Sequence, residues 1–199
     1  MSALKLEERV IVASIGVVFL GLLTAFYYWR LDHIYRCSLA ILGLSVPLWL
    51  PRVYSPKGIF KVVLSPIYDP KIMAILGIFI AVHVSLVNVP FTNIDLFHKE
   101  WRNADMISHF LGGLTLWLMV AKILHSYGFS PRRVLVYSIV VFYILAVGWE
   151  VAEKLTEGEI SFITETLENK VRDLIMDSFG MIFGIILIKR RKITSFQLS

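Results

Sequence analysis

A bundle of membrane-spanning α-helices is the fold class this sequence predicts, and three observations predict it. With 57% hydrophobic and 18% charged residues in a chain of 199, and a mean hydropathy of +0.71, there is more nonpolar surface than a soluble core of this size can hide. Apolar runs recur at about 20 residues, the length that crosses ~30 Å of hydrocarbon at 1.5 Å per residue. Lys and Arg fall in short clusters between the runs rather than along one stripe. The net charge of +5 therefore reports topology, and no nucleic-acid partner is expected.

The elements follow in order as one integral membrane domain, residues 1–199, with six transmembrane helices. Residues 1–9 are polar and 10–29 form the first apolar run. It lacks the short hydrophobic core and small-residue cleavage site of a signal peptide, so it reads as a retained helix. A second span, 37–50, is closed by Pro47 and Pro51. Residues 52–71 mix Arg52, Lys57, Lys61 and Lys71 with apolar residues, which suits an interfacial loop containing a surface helix. The third span, 72–89, stops at Pro90, and a polar connector with Asp95, His98, Lys99, Glu100 and Trp101 leads to the fourth, 103–124. The fifth span is 134–155 and the sixth 171–188, before the Lys189-Arg190-Arg191-Lys192 cluster. Of the 20 Lys and Arg residues, thirteen lie at the termini or in the second and fourth loops. Both termini are therefore expected in the cytoplasm, and the multi-pass chain in the cytoplasmic membrane. The single cysteine, Cys37, sits in an apolar run and forms no intramolecular disulfide.

Length forces charged residues into the later spans. Only about eleven residues, or ~16 Å of helix, separate Asp177 from the basic cluster, so the sixth helix must start earlier and carry Asp173 and Asp177 with it. The fourth span reaches full length only with Asp105 and His109, and the fifth with Glu150 and Glu153. Ionisable groups at membrane depth cost on the order of 2.5 kcal/mol or more each, so they turn inward and find partners. Because consecutive spans alternate in direction, the start of the fourth, the end of the fifth and the start of the sixth share one side of the membrane. The charge count makes that side the outer one. Each pair recurs at i,i+3 or i,i+4 and so occupies one helix face. Gly112, Gly113, Gly180 and Gly184 should let the fourth and sixth helices approach closely.

Asp105, His109, Glu150, Glu153, Asp173 and Asp177 are thus the candidate metal ligands, with His109 or Glu150 as the candidate catalytic base. Five carboxylates and one imidazole cannot all stay ionised without a cation or shared protons. Oxygen donors with one His suit a divalent metal such as Zn, Mn, Mg or Fe. With a metal, the site would activate water or polarise a phosphoryl or acyl oxygen, for hydrolysis or transfer on a lipid-linked or envelope substrate. Without one, the cluster resembles the proton relay of a small-solute transporter or an inter-helix structural latch. His83, at mid-span in the third helix, is the further polar residue that could face it. Ser108 points away from the Asp105–His109 face, Lys122 is expected to snorkel, and Trp101 and Trp149 to join the interfacial aromatic belt.

Asp105-x3-His109-Phe-x2-Gly112, the Glu150-x2-Glu153 pair after an aromatic residue, and Asp173-x3-Asp177 leading into a glycine-containing helix resemble the YjdF-like family of prokaryotic inner-membrane proteins. More distantly they resemble the VanZ-like membrane proteins. The resemblance covers about residues 100–188 and implies that the acidic and His positions form one site with a role on the outer face. It brings no settled activity with it.

Overall fold

The computed structural model describes residues 4–87, 102–155 and 166–190, and all regular structure among them is helical. The described residues form seven α-helices: α1 (Leu6–Tyr27), α2 (Leu31–Val53), α3 (Gly58–Val63), α4 (Pro70–Ile80), α5 (Arg102–Ser126), α6 (Pro131–Leu155) and α7 (Leu167–Lys189). A π-helical segment, Ala81–Val87, continues α4. Four stretches are long and apolar enough to cross a membrane, namely α1, α2, Asp105–Ser126 of α5, and α6. The expected third span is a shorter apolar helix, Pro70–Ser85. The expected sixth, α7, runs for 23 residues but carries several charges in its first half. Asp95, His98 and Trp101 lie outside the described residues.

Caps explain several helix starts. The α1 backbone begins with the Lys5 N–H donating to Glu8 Oε2 at 3.0 Å, the glutamate reaching back from the first turn to an otherwise unpaired donor. Asp69 caps α4, accepting from the N–H groups of Lys71 and Ile72, and Pro70 follows at the first helical position, where its missing donor is harmless. Thr166 Oγ1 accepts from the Asn169 N–H at the head of α7.

The second span differs from its sequence expectation. Pro47 and Pro51 lie inside α2, and the helix starts at Leu31 rather than Cys37. The chain turns back within three residues after α1: the Arg30 N–H bonds to Ala25 O at 2.9 Å and the Trp29 N–H to Phe26 O at 3.2 Å. Trp29 takes the left-handed φ of 53° that this helix ending requires. No loop is then left between Arg30 and Arg36. Each proline removes one backbone donor, but the bonds around it continue, and Arg52 Nη1 donates to Leu48 O at 2.5 Å. A helix surrounded by hydrocarbon meets no water competing for the remaining bonds, so proline does not end it there.

The helices form two halves. In one, α1 packs on α2 and on α4 with its π segment, around Val18, Cys37, Leu44, Ala81 and Val84. In the other, α5 lies between α6 and α7 around Trp117, Leu118, Ala121, Phe142 and Met181. The seam is α4 against α5. The closest approach is α5 on α7, where a Cβ at Gly113 would meet the Asp177 carbonyl and one at Gly180 the Phe110 carbonyl. This is the close packing expected from those glycines. By contrast, α6 buries a single stripe at every fourth position: Val134, Ser138, Phe142, Ala146 and Glu150.

Lys122 does not snorkel. Its Nζ donates to Asp69 Oδ2 at 3.1 Å, with both side chains largely buried at the seam between α4 and α5. Asp69 already faces the α4 N-terminus with its other oxygen, so a cation within reach of the second oxygen has more to gain there than in water. Asp69→Ala should therefore lose both the cap and the carboxylate partner of a buried ammonium, costing about 4 kcal/mol. Lys122→Met leaves the cap intact and should cost distinctly less. Thermal unfolding of the two variants in detergent checks the order.

Candidate metal centre

Three helix segments supply the site. The first turns of α5 carry Asp105 and His109 four residues apart, the last turns of α6 carry Glu150, and the first half of α7 carries Asp173 and Asp177. The glycine contact between α5 and α7 sets the spacing. A side chain at Gly112 would stand 3.2 Å from the Phe79 ring, so the bare glycine lets that ring lie against α5 beside the cluster.

His109 is the centre of the cluster. Its Nε2 lies 3.6 Å from Asp105 Oδ2 and 3.9 Å from Asp173 Oδ2, while its Nδ1 lies 3.5 Å from Asp177 Oδ1. Carboxylates therefore face both edges of one ring. A neutral imidazole has a single N–H, so the second edge needs either a further proton or a cation between ring and acid. Two overlapping groups offer one ligand atom per residue within 4.8 Å of one another: Asp105, His109 and Asp173, and His109, Glu150 and Asp177. Ligand atoms around one ion at about 2.1 Å stand roughly 3.4 Å apart in a tetrahedron, so either group reaches coordination by small rotations.

Glu150 is buried, at 7% exposure. Its Oε2 accepts from Lys170 Nζ at 3.3 Å, and its Oε1 is buried with no hydrogen-bond partner among the described residues. An acceptor left bare in this way costs about 1–3 kcal/mol unless something fills the space in front of it. Glu153 belongs to neither group: its half-exposed carboxylate takes Lys170 Nζ at 3.4 Å. Arg172 reaches Asp173 Oδ1 with Nε and Nη2, both at 3.4 Å.

Two cations at this site were not expected from the sequence. The sequence counts Lys170 and Arg172 only among the charges that report topology, Lys170 lying just outside the 171–188 span and Arg172 at its start. The signal for Lys170 was present, since it stands three residues before Asp173 and seven before Asp177, on the same helical face. His83 does reach α5, but through Ser108, whose hydroxyl lies 2.7 Å from its Nδ1; neither residue belongs to a metal-ligand group. Trp149 is exposed.

Fold and site together define a helical protein with four candidate membrane spans and an Asp/His/Glu cluster able to hold a metal ion. No protein-family model, curated protein or solved structure matches the chain.

Proposed function

We propose that this is a six-span protein of the cytoplasmic membrane, with both termini cytoplasmic, whose outer cluster binds a divalent cation and uses it for hydrolysis or transfer on a lipid-linked or envelope substrate. What supports the reading is that Glu150, whose buried Oε1 has no hydrogen-bond partner among the described residues, groups with His109 and Asp177. These three residues are assigned as ligands of Zn, Mn, Mg or Fe. Asp105 and Asp173, on the Nε2 edge of His109, then hold the ring in place, as carboxylates behind metal-binding imidazoles do. Three protein ligands leave a position for water or a substrate oxygen, and a cation there supplies a nucleophile at neutral pH and polarises the group under attack. Glu150, with Lys170 on its other oxygen, is the residue placed to take a proton from that water if it leaves the cation. Membership of the YjdF-like family is part of the same proposal and rests on the motif residues that share this cluster.

The test is elemental analysis of the detergent-purified protein. One divalent ion per chain is expected, lost in His109→Ala and in Asp177→Asn while both variants keep their helical content. Glu150→Gln retains an oxygen donor but cannot take a proton. It should weaken retention of the ion less than either of the other two. A metal-free wild-type protein, prepared without chelator, would refute the reading.

A second reading, a proton-coupled transporter, draws on the His83–Ser108 pair. It extends the polar track from α5 into the π-helical segment, a local geometry that often accompanies function. In that case the metal analysis is negative, and His83→Ala abolishes proton-driven uptake.

A further inference from the structure

Residues 54–68 join α2 to α4 and contain Lys57 and Lys61 but no acidic residue. Neither lysine pairs with a carboxylate among the described residues, whereas Arg52 pairs with Glu8 and Lys122 with Asp69. Three contacts fix the depth at which the segment lies. Arg52 holds the end of α2 beside the start of α1. Ser65 Oγ donates to Lys122 O at 3.5 Å, one turn before α5 ends at Ser126. Tyr68 Oη donates to Tyr54 O at 2.7 Å and draws the two ends of the segment together. The segment, with α3 at its centre, therefore stands level with the last turn of a candidate span, in the layer where hydrocarbon meets headgroups. Tyr54 and Tyr127 are exposed there, and tyrosine collects in that layer because its ring suits hydrocarbon and its hydroxyl suits water.

The sides of α3 differ. Successive residues turn by about 100°, so Ile59, Val63 and Phe60 cover one arc, Lys61 falls beyond Phe60, and Val62 takes the remaining side. Val62 is the half-buried one, and α3 packs on α5. Ile59, Phe60 and Val63 are 59%, 61% and 51% exposed. The long apolar helices show such exposure because they face lipid along their length, but α3 belongs to none of them. An apolar arc beside a lysine at headgroup depth matches the surface of a bilayer; a soluble acidic partner would satisfy the lysines and leave the arc uncovered. On the membrane topology above, and independently of the metal centre, we propose that α3 lies in the membrane surface with Ile59, Phe60 and Val63 in the acyl layer, and that Lys57 and Lys61 bind the headgroups of anionic phospholipids in that leaflet. In that topology it is the cytoplasmic leaflet.

The full-length protein in phosphatidylcholine vesicles containing phosphatidylglycerol tests both parts. A nitroxide on the new thiol of Phe60→Cys or Val63→Cys should meet dissolved oxygen more often than a water-soluble nickel chelate. The same is expected in Leu42→Cys, on the exposed side of α2. Cys37 is fully buried and takes no label. A fluorophore on the Phe60→Cys thiol should be quenched more by phosphatidylglycerol with brominated chains than by brominated phosphatidylcholine at the same fraction. The local enrichment should be about fivefold for each lysine, the ratio that ~1 kcal/mol per cation near an anionic surface gives. It should vanish in Lys57→Gln with Lys61→Gln and persist in Lys57→Arg with Lys61→Arg; both side chains are exposed, so these variants keep the fold. More collisions with chelate than with oxygen at Phe60→Cys and Val63→Cys, with Leu42→Cys still in lipid, would overturn the insertion. Protection from both reagents would do the same, since it marks a covering by protein. Equal quenching by the two lipids, or enrichment unchanged in the double glutamine variant, would sink the anionic headgroup. Chelate access at Leu42→Cys as well would remove the membrane topology itself, and the metal content of the samples bears on neither part.

Discussion

Gly113→Ala and Gly180→Ala should each destabilise the protein by about 3 kcal/mol or more, the upper end of what inserting a methyl group into a packed interface costs. The reason lies in what the new carbon would meet. At Gly113 it would stand 2.6 Å from Asp177 C and Cα and closer still to the carbonyl oxygen, and at Gly180 it would press on Phe110 O and lie 2.7 Å from Leu114 N. All of these are backbone atoms, so no rotamer change relieves the contact and the helices must move apart. Helix propensity works the other way by about 1 kcal/mol, which makes any loss the more telling. Gly148 supplies the control. A Cβ there meets nothing within 4 Å, so Gly148→Ala should be neutral or slightly stabilising. Gly184→Ala should fall between, because its neighbours are the Trp117 ring and the Leu114 side chain, which can yield. Separating α5 from α7 also draws Asp177 away from His109, so on the proposed metal reading both damaging variants should lose the cation. Denaturant unfolding in detergent, with metal content measured on each variant, reads both effects.

That interface was legible in the sequence because small residues spaced along two apolar helices have one strong use in a membrane, close backbone approach. The convergence of Asp105, His109, Glu150, Asp173 and Asp177 was legible for a different reason. Spans alternate in direction and have a minimum length, so charged residues at the start of one helix and the end of the next cannot avoid each other. Side-chain pairing was less visible. Lys122 and Asp69 are 53 residues apart, and no local period connects them; only the packing of α4 on α5 does. Glu153 looked equivalent to Glu150 by spacing, yet only Glu150 continues the buried stripe of α6, while Glu153 remains at the rim. The second helix misled for a physical reason. Proline ends helices where water takes up the freed carbonyls, and α2 has 11% of its apolar stretch buried inside the protein, its remaining surface being of a kind that faces lipid.

Lys170→Met should affect folding and cation binding in opposite directions. Lys170 is almost fully buried and donates to both Glu150 and Glu153. Removing the ammonium leaves the Glu150 carboxylate buried with neither oxygen compensated, the situation in which one lost partner costs about 3–5 kcal/mol. The metal-free variant should therefore unfold well below the wild type in temperature. Lys170→Met with Glu150→Gln should recover much of that loss, since no buried charge is then left unpaired, and the recovery measures the coupling of the two side chains. In the wild type the ammonium also repels any cation near Glu150. Its removal frees Oε2 and lifts that repulsion, so the single variant should bind a divalent ion more tightly than the wild type. A ligand that binds only the folded protein stabilises it by about 2.7 kcal/mol when present at a hundred times its dissociation constant, so added Zn or Mn should rescue Lys170→Met more than it raises the wild type. A structural latch predicts the same loss on removing Lys170 but no rescue by any metal. Thermal unfolding of the four proteins of the cycle, with and without the ion, therefore separates a site that uses its buried charge from one that only pins the helices together.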